Sequence, residues 1–551
     1  MVARVARLVA KVLAGAAIGV QPCSADRTAE SDSVREAQRI RVVEQRVLPA
    51  TLAVVEYAAT NGGSGVIVSS DGVAVTNYHV VQPCGPAMLC GMSDGSVVEA
   101  VLLGADPAGD LAAIRLLDDT RVYQPAALGD TTRSRVGDEV IVAGNPLLVA
   151  DDFSPSVSVG VLSGKNRYQY PSGDLLEYSD CLQTDAAINL GNSGGPLFDA
   201  RGELLGIVGR ASFEKRGRVS VGVGYAISVE QVRRFLPALV AGCVPDHGAL
   251  GFTIRSATGR QTGGPRIDRI ETDSAAYACG LRVGDEIVRL DDRKIDSANA
   301  LMNHIGATPA HWPVAVTFRR ADATSVTEFR LPRQHEKGRL YEEVRRSLAG
   351  PAAGLTAWMR RYGAAEGFAN AKANRDAAIR VLTASSRVAA PPGVADDQWR
   401  FRLDRAERNT DVTLTVMPET LRWRSARFAI ELRRGLSYRT QASPGIARAV
   451  VVGLGTRMRF TELATAARYV GALPWRPGGE PCDVLRSADA DAETDFYFTR
   501  NKPRLVGWTT RIAGDGREAD FEPDDRGVLV RVLGEDPVRI NDRPAAATGA
   551  R

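Results

Sequence analysis

Three short strings in the sequence carry residue types that could together perform acyl transfer. TNYHVV, DPAGDLAAIRL and GNSGGPLF supply, in chain order, His79, Asp110 and Ser193. Acyl transfer needs a nucleophile, a general base, and a group that fixes the tautomer of the base. We therefore predict that Ser193 attacks the substrate, that His79 takes its proton, and that Asp110 holds the imidazole.

Glycines on both sides of Ser193 predict a place where negative charge is stabilised. Gly191, Gly194 and Gly195 permit backbone conformations that expose a nucleophile. The amide N–H groups of Gly191 and Ser193 would then point toward the developing oxyanion. Each string alone has an ordinary explanation, such as a histidine at a strand end or a tight glycine turn. The ordered combination is what predicts catalysis.

Many short strands must hold these residues. From about residue 51, runs of β-branched residues alternate with turns of Gly, Asp and Asn, as in GVIVSS, VAVTN, DEVIVAG and VGVGYAIS. This spacing is typical of a β-barrel or a sandwich and differs from alternating strands and helices. The run ends at SVEQVRRFLPALV, where a serine before the first turn and apolar residues at helical spacing predict a closing helix.

Composition and charge narrow the class of protein. A chain of 551 residues has room for about two to four domains. Its 69 Lys and Arg are nearly balanced by 65 Asp and Glu, so the net charge of +4 implies no nucleic-acid partner. The five histidines never stand at ligand spacing from cysteines or carboxylates, so we predict no metal and no other cofactor.

The N-terminal residues resemble an export signal. In 1–25, arginines precede a short run of small apolar residues, as in a secretory signal peptide. Lys11 interrupts the run and leaves it shorter than the ~20 residues that span a bilayer. An amphipathic start or a single membrane anchor are the alternatives. We predict a secreted protein, or one of the periplasm or cell envelope, with no membrane span and with a lead-in segment at 26–50 that has apolar residues at helical spacing from about residue 31.

A longer comparison of the motifs points to a family. TNYHVV, DLAAIRL and QTDAAINLGNSGGPLFDARGELLGIV together resemble the HtrA-type (DegP-like) serine proteases of the chymotrypsin superfamily, over about residues 50 to 240. The resemblance implies a mostly β, chymotrypsin-like double β-barrel, with His79 and Asp110 from the first barrel and Ser193 from the second. Leu190 stands where the family more often has proline. Since these proteases switch by rearranging loops near the oxyanion hole, the activity of the resting enzyme is left open.

The same resemblance places a primary substrate pocket. No acid stands at Ala187, where a trypsin-type pocket would carry an aspartate, so cleavage after small or medium apolar residues is expected. The alternative is that these residues are barrel core, Ile188 in particular. The residues expected to line the pocket are Ala187, Ile188, Leu190, Val223, Gly224, Tyr225 and Ala226.

A second resemblance follows the peptidase segment. ALGFTIR and RIDRIETDSAAYACGLRVGDEIVRLDDRKI resemble a PDZ domain of the permuted bacterial kind, with GLRVGDEIV as the specific part. Such a domain binds a C-terminal peptide as an added strand, and its loop amides capture the terminal carboxylate. The alternative is a domain that only packs on the protease. The residues that match the binding loop and strand are Leu250, Gly251, Phe252 and Thr253.

The last third of the chain resembles nothing that we recognise. It lacks a second G-L-x-x-G-D string, and an Ala-rich helical pattern at 341–387 precedes strand-like runs such as DVTLTVM and TDFYFT. We therefore predict an α+β domain of unknown role. The predicted divisions are a signal peptide at 1–25, a lead-in at 26–50, a trypsin-like protease domain at 51–241, a PDZ domain at 248–334 and the C-terminal domain at 340–551.

These features predict a serine endopeptidase that hydrolyses misfolded or signal-bearing proteins, with the PDZ domain sensing C-terminal peptides. A catalytically idle peptide-binding adaptor or chaperone is the alternative from another class. An esterase is disfavoured, because it would show G-x-S-x-G and a histidine last in the chain. The family implies a homotrimer, but residues 26–50 lack the aromatic residues that such trimers often pack, so the assembly is left open.

Overall fold

The described part of the chain begins with a helix that leads into the first barrel. Helix α1 (Ala25–Val42) continues through a π-helical turn (Val43–Val47) into α2 (Leu48–Ala50). Only the last residue of the predicted signal peptide is described. The computed structural model describes residues 25–57, 61–118, 120–145, 153–172, 175–213, 220–255, 264–348, 398–405, 408–416, 420–425, 429–433, 436–440, 467–488, 492–500, 505–512, 518–524, 527–532 and 538–541.

The first barrel closes on itself in the order β1-β2-β3-β6-β5-β4, with β4 paired back to β1. Helix α3 (Tyr78–Cys84) follows β3 directly, and its apolar residues belong to the same buried cluster as those of the barrel strands. The strands are β1 (Thr51–Val55), β2 (Gly62–Ile67), β3 (Val73–Thr76), β4 (Ala87–Met92), β5 (Val97–Asp106) and β6 (Leu111–Leu116).

The second barrel contains six strands in the order β11-β8-β9-β10-β13-β12, closed by the pairing of β11 with β12. Strand β7 adds to β12 in parallel. The expected double barrel is confirmed. The strands are β7 (Ala127–Leu128), β8 (Glu139–Gly144), β9 (Ser156–Ser172), β10 (Leu176–Thr184), β11 (Pro196–Asp199), β12 (Glu203–Phe213) and β13 (Ser220–Ser228).

The predicted closing helix is present as α4 (Val229–Val240). Its N-cap is Ser228, whose side chain accepts a hydrogen bond from the amide of Gln231 at 3.4 Å. Phe235 and Leu239 are fully buried in one cluster with residues of both barrels. The helix therefore fastens the two barrels to each other and fixes the cleft between them.

A third unit follows, built on a five-strand path β14-β15-β16-β18-β19 with β17 paired to β16. Helix α6 begins after Ser297, whose side chain accepts from the amide of Ala300 at 3.1 Å. The elements are β14 (Phe252–Arg255), β15 (Arg266–Ile270), α5 (Ala275–Ala278), β16 (Glu286–Leu290), β17 (Arg293–Lys294), α6 (Ala298–Gly306), β18 (Pro313–Arg320) and β19 (Ala323–Arg330).

Past the third unit come helix α7 (Arg339–Ser347) and one sheet of 12 strands in the order β24-β23-β22-β21-β20-β31-β30-β29-β28-β27-β26-β25. Most of the predicted helical stretch at 341–387 lies outside the described residues. The strands are β20 (Gln398–Arg405), β21 (Arg408–Val416), β22 (Thr420–Ser425), β23 (Ala429–Arg433), β24 (Leu436–Thr440), β25 (Arg468–Pro474), β26 (Pro481–Ala488), β27 (Ala492–Phe498), β28 (Leu505–Ile512), β29 (Glu518–Asp524), β30 (Gly527–Val532) and β31 (Val538–Asn541).

The C-terminal sheet packs on both preceding units. Gly471 on β25 lies against α4 so closely that an added Cβ would stand 2.6 Å from the amide nitrogen of Ala238. From the third unit, the buried guanidinium of Arg330 donates to the carbonyl of Trp475 at 2.8 Å and lies 3.4 Å from Glu518. Within the described ranges, no helix has the length and apolar character to cross a membrane.

Candidate active site

His79 and Asp110 meet between helix α3 and the loop that joins β5 to β6. The imidazole Nδ1 lies 2.8 Å from Oδ2 of Asp110, and the backbone amide of His79 donates to Oδ1 at 3.0 Å. The side chain of Asp110 is 2 % exposed and that of His79 is 45 % exposed. The carboxylate therefore holds the proton on Nδ1 and leaves Nε2 as the basic nitrogen.

The surroundings of His79 have opposing effects on its pKa. Burial alone lowers the pKa, because it penalises the charged imidazolium. The negative charge of Asp110 and its hydrogen bond to the ring raise the pKa, and together they outweigh burial. The net pKa of His79 lies above its usual value, which suits a group that must accept a proton near neutral pH.

Asp110 is itself fixed from several sides. Its φ of 56° lies in the left-handed region, which aspartate tolerates better than most residues. Its carbonyl accepts from Nδ2 of Asn77 at 2.9 Å and from the amide of Tyr78 at 3.3 Å. The hydroxyl of Tyr178, on β10 of the second barrel, donates to Oδ2. Both barrels therefore contribute to the orientation of this carboxylate.

The loop before Asp110 is held by a second carboxylate. Oδ1 of the buried Asp106 accepts from the amides of Ala108 at 3.1 Å and Gly109 at 2.8 Å. On its other side, Asp106 lies 2.9 Å from Nε2 of His247, in the segment between α4 and β14. The second ring nitrogen of His247 bonds the carbonyl of Gly306 at the end of α6.

Ser193 lies in the turn before β11, beside the start of α3. Its hydroxyl donates to the carbonyl of Gly209 at 3.2 Å. Gly194, with φ of +83°, packs so tightly that an added Cβ would stand 2.2 Å from the carbonyl of Ser64 and 3.1 Å from the amide nitrogen of Asn77. The serine turn therefore abuts the segment that carries His79. Among the described residues, no hydrogen bond joins the Ser193 hydroxyl to the His79 ring.

The two amides predicted to stabilise an oxyanion are available. Within the described part of the structure, neither Gly191 nor Ser193 donates its backbone N–H to another group. Gly191 has φ of +98°, and its carbonyl accepts from the hydroxyl of Ser64 at 2.6 Å. The same hydroxyl accepts from the amide of Asn145 at 2.9 Å. Ser64 thus ties the serine turn to β2 and β8.

The predicted pocket residues divide into three groups by their exposure. Ala187 and Leu190 are exposed at the surface. Ile188 is buried in the core of the second barrel, and its Cδ1 would stand 2.2 Å from a Cβ added to Gly224. Any side chain at position 224 would displace Ile188. Two other predicted residues on β13, Val223 and Tyr225, are half-buried, while Ala226 belongs to the core.

A separate groove of about 340 Å³ opens between β14 and α6. Gly251 has φ of +68°, and an added Cβ would stand 2.5 Å from the side chain of Ser274. Among the described residues, the amides of Leu250 and Gly251 donate to no acceptor. The groove is lined by Glu177, Gly248, Ala249, Leu250, Gly251, Phe252, Thr253, Arg269, Glu271, Met302, Ile305, Gly306 and Gln334.

Four residues of this region were not predicted: Ser64, Asp106, Tyr178 and His247. Several of their contacts join distant parts of the chain: Tyr178 and Asp110 are 68 residues apart, and His247 and Asp106 are 141 residues apart. Only Asp106 has a local signal, since an aspartate that precedes a Pro-Ala-Gly turn is suited to accept the turn's amides. For the other three, no local sequence pattern marks the contact.

The comparisons with known proteins agree with this geometry. A trypsin-like peptidase domain matches residues 63–207, and a PDZ domain matches residues 244–318. A probable periplasmic serine endoprotease DegP-like of Brucella suis is 32% identical over 288 residues, which are 50% of this chain and 54% of the relative. The serine protease PepD of Mycobacterium tuberculosis is 32% identical over 282 residues, which are 48% of this chain and 59% of the relative.

A solved structure of the HtrA-type protease AlgW with tripeptide is 28% identical and has a TM-score of 0.44; the match covers 55% of this chain and 99% of that one. This chain spans between half and two thirds of the length of the curated relatives named above.

The fold and the domain matches define a trypsin-fold serine protease domain followed by a PDZ domain. DegP-like relatives match along the same residues, which confirms the resemblance to HtrA-type serine proteases with a PDZ domain.

Proposed function

We propose that this chain is a serine endopeptidase that hydrolyses peptide bonds through His79, Asp110 and Ser193. The observation that carries the proposal is the 2.8 Å contact of Nδ1 of His79 with a buried, multiply anchored Asp110, beside a glycine turn that presents Ser193. The chain spans little more than half of its relatives, so their activity is extended to it as part of this proposal.

In the proposed mechanism, Nε2 of His79 takes the proton of the Ser193 hydroxyl while the oxygen attacks the carbonyl carbon of the substrate. The backbone amides of Gly191 and Ser193 stabilise the resulting oxyanion. The imidazolium then protonates the leaving amine, the C–N bond breaks, and an acyl-enzyme remains on Ser193. Water, deprotonated by His79, attacks the ester and releases the second product and the serine hydroxyl.

The hydrogen bond from Ser193 to the carbonyl of Gly209 has to break before the hydroxyl can donate to His79. We propose that substrate binding supplies this change. We expect the primary pocket at Ala187, Leu190 and Gly224; the sequence carries no acidic residue at these positions, which supports cleavage after small or medium apolar residues. The buried position of Ile188 beside Gly224 limits the depth of that pocket.

The substrates are proposed to be misfolded or signal-bearing proteins whose C-terminal peptides add as a strand to β14. The open amides of Leu250 and Gly251 and the apolar side chains of Phe252, Met302 and Ile305 support this role, because together they offer a carboxylate site beside an apolar wall.

A secreted or periplasmic location is proposed from the Brucella suis relative, which is named periplasmic, together with the signal pattern at 1–25. The proposed divisions are the protease domain at 51–241, the PDZ domain at 248–334 and a C-terminal region from 340 onward.

The homotrimer that the family resemblance implies is tested by size measurement in solution.

An adaptor that binds peptides without cleaving them is the second candidate. The pairing of the Ser193 hydroxyl with Gly209 instead of His79 is the observation that favours it. The two candidates differ in whether Ser193 can become acylated.

The experiment compares wild type and Ser193→Ala in two assays, cleavage of unfolded casein and labelling by a fluorophosphonate. We expect wild type to cleave and to label, with or without an added apolar C-terminal peptide, and the variant to do neither. If wild type neither cleaves nor labels under both conditions, the endopeptidase proposal fails and the adaptor remains.

A further inference from the structure

The chain returns to the protease domain after the last strand of the PDZ domain. Nε2 of Gln334 donates to Oε2 of Glu177, on the second barrel, at 3.3 Å. Nδ1 of His335 lies 2.8 Å from Oδ1 of Asp246, and its amide donates to Oδ2 of the same carboxylate at 3.1 Å. These contacts direct the segment 334–338 back over the protease domain, and helix α7 begins there.

Helix α7 has one apolar face. Leu340, Val344 and Leu348 recur every four residues, which places them on one side of the helix. Leu340 is 4 % exposed and Val344 is 2 % exposed. The opposite side carries charged residues, such as Arg345 and Arg346, which pair with glutamates three positions earlier. Such a helix needs a partner surface to bury its apolar side.

The partner of α7 is the helix that carries His79. Val344 belongs to the apolar core of the first barrel, in one cluster with Tyr78, Val80 and Val81 of α3, and Leu348 packs against the same cluster. The hydroxyl of Ser347 is hydrogen-bonded to the hydroxyl of Tyr78. This last contact joins residues 269 positions apart.

Tyr78 connects the contact with Ser347 to His79 and Asp110. It immediately precedes His79, and its amide donates to the carbonyl of Asp110 at 3.3 Å. Helix α3 has seven residues, lacks a side-chain cap at Asn77, and contains Pro83. A helix this short has little stability of its own, so its position depends on what packs against it.

From this geometry we infer that α7 is a positioning helix for the general base. Val344 and Ser347, from beyond the PDZ domain, hold α3 and Tyr78 in the position in which His79 meets Asp110. The inference rests on the proposed endopeptidase function, since it assigns these two residues to the same site. It also gives the first residues of the C-terminal region a role inside the protease domain.

The test uses the full chain and four variants. Val344→Ala shortens the apolar contact, Ser347→Ala removes the hydroxyl, and Ser347→Thr keeps the hydroxyl as a rescue. Arg345→Ala, on the exposed side of the same helix, is the matched control. Turnover of a short apolar peptide substrate is measured per active site titrated with a fluorophosphonate, so loss of folded enzyme does not count as loss of rate.

We expect kcat per titrated site to fall ~3- to 10-fold in Ser347→Ala and ~10-fold or more in Val344→Ala, with KM nearly constant. Ser347→Thr and Arg345→Ala should stay within about twofold of wild type. A normal kcat per site in both alanine variants overturns the inference while leaving the endopeptidase function in place.

Hydrogen exchange of residues 77–84 provides a readout that needs no activity. We expect exchange in this segment to be ~5-fold faster or more in Val344→Ala than in Arg345→Ala. Unchanged exchange contradicts the inference even if wild type proves inactive. If wild type is inactive but residues 77–84 exchange faster in Val344→Ala, the packing of α7 on α3 is upheld and only the endopeptidase function fails.

Discussion

Asp106 and His247 form a buried contact, 2.9 Å between Oδ2 and Nε2, that joins the loop before Asp110 to the segment leading into the PDZ domain. The side chains are 0 % and 4 % exposed. Because His247 also bonds the carbonyl of Gly306, one imidazole links the end of α6 to the turn that precedes Asp110, the proposed catalytic carboxylate. Removing Asp106 would leave Nε2 of the buried imidazole unpaired, and removing His247 would leave the buried carboxylate with backbone amides alone.

This contact predicts a pH-dependent loss of stability on the alkaline side. Burial lowers the pKa of His247, but the charge and hydrogen bond of Asp106 raise it to about 9, above the ordinary 6.5. The stabilisation is therefore complete below pH 6.5 and lost as the pH rises through about 9. It amounts to on the order of 3 kcal/mol.

The measurement is urea unfolding of Ser193→Ala from pH 6 to 10, with and without His247→Gln. The parent should lose stability across this interval and the double variant should lose less of it. Parallel pH curves would show that the pair does not carry the effect.

The activity should fall on the acidic side for a different reason. The pKa of His79 is raised because the charge and hydrogen bond of Asp110 exceed the effect of burial, so the imidazole becomes protonated at a higher pH than usual. A protonated His79 cannot accept the serine proton. We expect the acid limb of kcat/KM to have its midpoint above pH 6.5, and a midpoint below that value would contradict the assignment.

Tyr178 should contribute to catalysis without contacting the substrate. Its hydroxyl donates to Oδ2 of Asp110, the oxygen that also holds His79. Tyr178→Phe removes one of the anchors and should lower kcat ~3- to 10-fold with KM nearly unchanged. Asp110→Asn, which fixes the wrong tautomer, should cost about 10⁴-fold. Equal losses in the two variants would mean that the tyrosine hydroxyl has a different role.

Gly194→Ala should abolish activity and destabilise the fold by about 2–4 kcal/mol. The added Cβ would stand 2.2 Å from the carbonyl of Ser64, at a φ of +83°. Gly137→Ala is the matched control, because Gly137 also has positive φ, +98°, but nothing lies within 4 Å of its added Cβ. Thermal unfolding and fluorophosphonate labelling of both variants give the comparison; similar losses in both would assign the effect to backbone strain alone.

Met302 is expected to contribute to the affinity of the PDZ groove for peptides. It is 37% exposed and lines the groove from α6, so Met302→Asp places a charge on the apolar wall with little effect on the core. We expect binding of a labelled peptide with an apolar C-terminus to weaken ~10-fold or more. Val283→Asp, 61% exposed and outside the groove, should bind as wild type does. Equal affinities would place the peptide elsewhere.

The double barrel, the PDZ domain and helix α4 could be predicted because each has a local signal. The motif strings are continuous, the strand periods are short, and Ser228 caps its own helix three residues on. The contacts of Tyr178, His247 and Ser347 could not be predicted, because each depends on how separate units pack. No spacing rule connects Ser347 with a tyrosine 269 positions away.

The C-terminal region was the least predictable part. The expected division at 340 places α7 with the sheet, yet Val344 lies in the core of the first barrel. An amphipathic stripe shows that a helix has a buried side, but it does not name the surface that covers it. The 12-stranded sheet then follows as a separate element.

The burial of Arg330 has a consequence for how domains of this chain can move. Its guanidinium is buried against the sheet, where it donates to the carbonyl of Trp475 and faces Glu518. A rotation of the PDZ domain away from the sheet would break these buried contacts of a charged group. Separating the PDZ domain from the sheet by a hinge motion is therefore unfavourable in free energy. A truncation before the sheet would remove both the carbonyl of Trp475 and the carboxylate of Glu518 from the guanidinium of Arg330.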